Sequence, residues 1–263
     1  MNRKYILAAF SAIVMSVTGL SASDDGGSHK LSNPRTQTFR EILKLQQRGM
    51  HNRAAVLFDE LSHEVMSSDP EGYSILNDII MDVTAYEASM NEYLERNPQS
   101  VMASQIRYHH AMNLFESHDF KGAGEALGNI NVRNLRKNQR LEFLFIKAYC
   151  DLENRDLESA KANFAEVEKS SSQDYASPSR YALGYINYVQ RNFPEAIEWF
   201  EMARKDGRFT QPSCYYIMES HFMLGDHKYV TENADSMYVA VSDERKPHLA
   251  RIISESWLVS GDA

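Results

Sequence analysis

The sequence predicts an all-α protein built of helical hairpins, on three observations. Apolar residues recur three and four apart over long stretches, strand-like alternation is nearly absent, and the helical pattern restarts at spacings of 32 to 37 residues. Composition agrees. Of 263 residues, 43% are hydrophobic and 24% charged, with 12 Gly and 7 Pro, which suits an ordered helical chain and disfavours disorder. Length alone suggests one or two globular domains, but a repeat array escapes that expectation because each unit buries its core against its neighbours.

The first 23 residues read as a secretory signal. Arg3 and Lys4 supply a positive start, Tyr5 to Val17 a short apolar run, and Gly19-Leu20-Ser21-Ala22-Ser23 the small residues, with cleavage expected after Ala22 or Ser23. The run falls short of the roughly 20 residues that span hydrocarbon, which disfavours an uncleaved anchor. No Cys follows it, which disfavours a lipid anchor. The expected location is therefore exported, periplasmic or outer-envelope associated, with no membrane span after cleavage. Residues 24–34 include Asp24-Asp25-Gly26-Gly27-Ser28, too polar to bury apolar area, and are expected to form a mobile leader. The repeat array is expected over 35–263.

Charge argues against nucleic acid. The chain carries 28 Lys+Arg against 36 Asp+Glu, and loss of Arg3 and Lys4 with the signal takes the net charge from -8 to -10, which repels phosphate backbones. Arg133, Arg136, Lys137 and Arg140 stand between two helical patterns and read as a solvated turn. Cys150 and Cys214 fall on first helices two units apart, beyond the roughly 7 Å that a disulfide allows, so two buried, unbridged thiols are expected.

The clearest unit runs from Ser177 to Phe209. Two helical patterns hinge at Arg191-Asn192-Phe193, with Pro194 in the first turn of the second, where its missing N–H costs nothing. Leu183, Gly184, Ala196, Phe200 and Ala203 place small and large residues as the tetratricopeptide repeat family does at its seventh, eighth, twentieth, twenty-fourth and twenty-seventh positions, and the chain resembles that family. The sizes have a steric reason: the paired helices cross where the eighth and twentieth residues meet. The same register finds Ala148, Ala160 and Phe164 in a unit starting near Leu141, and Ala111, Ala123 and Leu127 in one near Ser104. Weaker fits are Ile217, Gly225 and Asp226 near Gln211, and Ala54 and Phe58 near Arg35. A unit near Ser67 stops at Asn97-Pro98 but has Tyr86 where a small residue is expected, so its hairpin is doubtful or more widely splayed.

Starts near 35, 67, 104, 141, 177, 211 and 247 run slightly longer than the family's 34 residues, so extra residues should lengthen helices or loops. The resemblance covers about 35 to 263 and looks closest to exported tetratricopeptide proteins of Bacteroidetes-type bacteria. It implies a right-handed α-solenoid of about six units plus a final unpaired helix, Leu249 to Val259. Leu249, Ile252, Ile253, Trp257, Leu258 and Val259 spread apolar area around that helix, which points away from a polar cap and towards a longer repeat protein or a partner covering this end.

Catalytic and metal motifs find little support. His109 and His110 diverge by about 100° on one helix and cannot face one ion, while His118 falls in a turn. His63-Glu64 has Ser67 where a zinc protease needs its second His. The run from Gly122 to Gly128 follows a helical pattern and lacks the Lys-Ser/Thr ending of a phosphate loop; its glycines suit helix packing and should leave that helix locally soft. No metal, no cofactor and no enzymatic activity is expected.

One pattern rises above this background. Tyr108, Phe145, Tyr181 and Tyr215 stand at the fifth position of consecutive first helices, Phe115, Leu152, Tyr188 and Phe222 at the twelfth, and Met112, Tyr149, Tyr185 and Glu219 at the ninth. In the family these positions line a concave groove for extended peptides or partner helices. The resemblance thus implies a partner-binding face at Tyr108, Phe145, Tyr149, Tyr181, Tyr185, Tyr188, Tyr215 and Phe222. The alternative is that these rings pack between units as core. Aromatics stand where carboxylate-gripping members carry Lys, Arg and Asn, which argues against that mode. The expected function is an exported, non-catalytic scaffold for a peptide or envelope protein; a glycan-binding module is the alternative, with Trp199 and Trp257 as its stronger stacking residues.

Overall fold

The computed structural model describes residues 69–80 and 85–261, preceded by Glu41, Lys44, Leu45, Arg48, Met50 and Arg53. The expected signal, the leader, Ala54, Phe58, the His63-Glu64 pair and Ser67 lie outside the described residues. All regular structure among the described residues is helical. The chain divides into two compact units, one ending at Phe143 and one beginning at Leu144.

In the first unit, α1 (Pro70–Ile80) and α2 (Glu87–Arg96) form a hairpin closed at its open end. The Tyr93 hydroxyl donates to Asp69, and Arg96 donates to Glu71 through Nη1 at 3.1 Å and again through Nη2. Ile75, Leu76, Ile79, Met90 and Tyr93 pack onto Ala103 and Ile106 of α3 (Val101–Glu116). Each fully buried aliphatic side chain contributes roughly 1.5–3 kcal/mol, so this cluster is what holds the hairpin in place. The doubt attached to Tyr86 is resolved by its position. It stands before the first turn of α2, partly buried against the same cluster, and its hydroxyl meets His110 Nδ1 at 3.0 Å. Helix α4 (Phe120–Gly128) completes a second hairpin through buried Ala111, Ala123 and Leu127. A short 3-10 turn, Val132–Asn134, leads to α5 (Lys137–Glu153), within which the division between units falls. The basic stretch is a turn only in its first half: Arg133 and Arg136 precede α5, whereas Lys137 and Arg140 belong to its first turn, from which Arg140 donates back to the carbonyls of Leu135 and Arg133 at 3.1 and 3.3 Å.

The second unit contains the rest of α5, then α6 (Leu157–Glu168), α7 (Gln173–Val189) and α8 (Phe193–Ala203). After a 3-10 turn at Gly207–Phe209 come α9 (Thr210–Met223), α10 (His227–Glu232), α11 (Ala234–Ala240) and α12 (Lys246–Ser260). Small residues sit where the paired helices meet. Ala148, Ala160 and Ala196 are fully buried, and a Cβ on Gly184 would lie 2.8 Å from the Phe200 ring, so α7 and α8 can close only over glycine. Pro194 occupies the first turn of α8.

The hairpin turns carry the repeat most plainly. His118, Arg155, Arg191 and Gly225 all adopt positive φ, at spacings of 37, 36 and 34 residues. In each turn the next residue's N–H returns to a carbonyl five residues back: Asp119 to Leu114, Asp156 to Asp151, Asn192 to Asn187 and Asp226 to His221, all between 2.8 and 2.9 Å. This is a left-handed C-terminal cap that satisfies the last carbonyls of the first helix. The same aspartates then start the second helix, since Asp119, Asp156 and Asp226 accept from Gly122, Ser159 and Tyr229.

The unit length exceeds 34 because the first helices are extended at their N-termini. Helices α5 and α7 have 17 residues each and begin four residues before the expected starts at 141 and 177. The last hairpin departs from a simple pair. Its second helix is broken at Asn233, whose side chain donates to the Tyr229 carbonyl at 2.9 Å and ends α10. The final helix buries Leu249, Ile252 and Ser256 and leaves Leu258 and Val259 exposed. Cys150 and Cys214 are both buried and neither forms a disulfide. Among the described residues no helix is long and apolar enough to cross a membrane.

Candidate binding face on the second unit

Helical spacing puts Tyr181, Tyr185 and Tyr188 on one side of α7 and Tyr215, Glu219 and Phe222 on one side of α9. Both rows converge on Tyr216. Its ring stacks on Phe200 of α8 with centroids 5.1 Å apart, and it meets Tyr188 at 4.9 Å, Tyr185 at 6.0 Å, Tyr181 at 6.3 Å and Tyr215 at 5.2 Å. Such offset and edge contacts add about 0.5–1.5 kcal/mol per pair beyond area burial, so the cluster braces α7 against α9.

Burial divides the eight residues expected to line a binding face. Phe145, Tyr149, Tyr181 and Tyr215 are buried in this unit, and Tyr108 is buried in the first. Phe145 packs on Phe164 and Tyr175, and Tyr181 on Phe200 and Phe209, so these rings fill the interior, the alternative that periodicity left open. Tyr185, Tyr188 and Phe222 are half-buried and keep part of their surface in solvent. Phe222 lies at the turn, edge-on to His227.

Polar groups edge the tyrosines. The Arg245 guanidinium lies 4.2 Å from the Tyr215 ring centre and 5.0 Å from that of Tyr216, and His248 Nδ1 is 2.9 Å from the Tyr215 hydroxyl. Burial pushes the Tyr188 and Tyr215 hydroxyls far up, and the negative charge of Glu219 beside both pushes further. Tyr216 is pushed up to about 12 by burial, with Arg245 pulling the other way. Glu219 itself is only 7% exposed, and its Oε2 is enclosed without a hydrogen-bond partner. A buried carboxylate in that condition costs several kcal/mol unless something else compensates it.

Sequence reasoning missed four of these residues as site residues. Glu219 had a signal, being the one acid in a column otherwise of Met112, Tyr149 and Tyr185. Tyr216, one residue from Tyr215, points 100° away and falls outside all three columns. Arg245 and His248 arrive from the start of α12, and no local pattern ties them to α9.

Elsewhere the histidines stay apart. His109 is enclosed in the first unit with Nε2 unpartnered, and burial lowers it to about 4, with Arg136 adding to the shift. His118 sits in its turn, as expected. Among the described residues no group of three His, Cys, Asp or Glu could hold a metal. His227 Nδ1 lies 3.1 Å from Ser256 Oγ, but Ser256 is fully buried and offers a substrate no approach. The glycine run forms α4, capped by Asp119. Among the described residues no ring contact joins Trp199 or Trp257 to the tyrosine cluster.

No family model matches the chain, and no characterised protein does. Among solved structures, the crystal structure of the apo form of RapI is similar, with a TM-score of 0.59 at 11% identity, over 88% of this chain and 72% of that one. At that identity the likeness speaks for the fold alone, and the fold is an all-α helical repeat.

Proposed function

We propose that the chain is an exported, non-catalytic scaffold that binds a peptide segment of a partner or envelope protein along the tyrosine face of α7 and α9. The observation that carries this is the pair Tyr185 and Tyr188, braced from below by Tyr216 yet half in solvent. Rings held in this way lose little entropy on binding and keep a hydroxyl for hydrogen bonds. The helical-repeat likeness to RapI supports the reading by supplying a fold suited to extended surfaces. Export rests on the N-terminal run from Arg3 to Ser23, and the resemblance to exported tetratricopeptide proteins favours the periplasm or outer envelope.

The test is recovery of a partner from envelope extract by wild type and by Tyr185→Ala/Tyr188→Ala, with circular dichroism confirming the fold. The expected result is loss of recovery in the variant; unchanged recovery overturns the proposal. N-terminal sequencing of the mature protein checks export: a start at Ser23 or Asp24 is expected, and a retained Met1 contradicts it.

A further inference from the structure

We infer that Glu219 is the seat for a cationic side chain, lysine or arginine, carried by the partner peptide; this rests on reading the tyrosine face as a binding surface. Glu219 is more than nine-tenths buried, and one carboxylate oxygen has no hydrogen-bond partner. The Tyr188 and Tyr215 hydroxyls reach the carboxylate, but no cation pairs with it among the described residues, and buried carboxylates persist in proteins when an opposite charge or several donors meet them, so the unpartnered oxygen has to be explained.

The nearest cation does not fill the role. Arg245 lies over the faces of Tyr215 and Tyr216, and no ion pair joins it to Glu219 among the described residues. Its placement shows instead that this kind of ring face accepts a guanidinium here. Tyr188, whose hydroxyl reaches Glu219, offers the same kind of face with no cation over it among the described residues, and it is half-exposed. Entry to the enclosed oxygen requires a side chain at this solvent edge to move, a motion of nanoseconds or less. An incoming ammonium or guanidinium then gains the carboxylate and the tyrosine face together, in a site dry enough for both to count. The chain's net charge of -8 draws a cationic segment and repels an acidic one.

The test uses fluorescein-labelled nonapeptides, acetylated and amidated, of one Gly/Ser/Leu/Tyr host with Lys, Arg, Gln or Glu at the centre, measured by anisotropy. Wild type is expected to bind the Lys and Arg peptides at least tenfold more tightly than the Gln peptide. In Glu219→Gln the ratio should fall below threefold, with affinity for the Gln peptide unchanged within twofold. Glu255→Gln, which removes an acid paired with Arg251 on α12, should leave the tenfold ratio intact. A ratio that persists in Glu219→Gln overturns the inference. Equal binding of all four peptides by wild type sinks the cation seat and leaves the binding face standing, whereas binding of none removes both. Should Glu219→Gln fail to fold, Tyr188→Ala provides the second reading: loss of the ring should cost the Lys and Arg peptides at least fivefold more than the Gln peptide, and an equal loss for all overturns the inference.

Discussion

Two buried polar clusters treat their hydrogen bonds in opposite ways. In the first unit, Gln105 and Gln139 exchange amide bonds of 3.2 and 3.0 Å, and Gln139 Oε1 also accepts from the Arg136 N–H at 3.0 Å. Asn134 donates to Ser104 at 3.0 Å, and the Tyr108 hydroxyl donates to Glu142 at 2.6 Å. Every polar side chain of this seam is spent on holding α3 to the start of α5. In the second unit, along α9 beside the tyrosine face, Glu219 Oε2 and the hydroxyls of Ser213 and Ser220 have no hydrogen-bond partner. The first arrangement maximises stability and specificity of packing. The second gives up stability, the pattern expected where a surface is kept for a ligand.

His109 breaks the contrast, since its Nε2 is unpartnered inside the first unit, and it should produce the largest effect. Its folded pKa of about 4 lies below the ordinary 6.5, so the unfolded chain takes up the proton first. Stability is therefore full above about pH 6.5 and falls as pH drops towards 4, by up to about 3 kcal/mol. His110 is lowered by burial as well and acts in the same direction. Urea unfolding followed by circular dichroism at pH 7 and pH 4.5 checks this, and His109→Gln should remove most of the difference. An equal pH loss in that variant would assign the effect to other groups.

Next in size is Gln105→Ala. It leaves Gln139 and the Asn134 carbonyl short of partners and should cost about 2 kcal/mol. A change below about 0.5 kcal/mol would mean the seam is incidental. The smallest effect concerns the turns. Arg155 and Arg191 hold positive φ without being glycine, so Arg155→Gly should stabilise by about 0.5–1 kcal/mol, read as a rise in urea midpoint. A fall would show that the arginine side chain matters more than the backbone strain.

The helix crossings were legible in the sequence because their cause is steric and local. Ala111 and Ala123, Ala148 and Ala160, and Gly184 and Ala196 are all buried in the hairpins α3–α4, α5–α6 and α7–α8, and a Cβ on Gly184 would run into the Phe200 ring. The turns could be placed too, since Asp119, Asp156 and Asp226 cap the following helix. The division of the aromatics was not legible. Register places buried Tyr149 and half-buried Tyr185 in one column, but exposure depends on what lies over each ring, and that is decided by residues far away in sequence. Tyr216 and Arg245 escaped notice for the same reason. The break at Asn233 depends on one side chain competing with the helix for a carbonyl, which a repeat register does not register.

The account turns on one oxygen of the buried Glu219 carboxylate, Oε2, lacking a hydrogen-bond partner in the isolated chain, and unfolding of Glu219→Gln tests that directly. Trp199 and Trp257 both lie in the second unit, so their fluorescence follows this region as urea is added. Removing the charge while keeping the shape should raise the unfolding free energy by about 1 kcal/mol. A fall of 1 kcal/mol or more would mean that Glu219 is already satisfied by its neighbours, and the claim that the site is held open for a partner would fail.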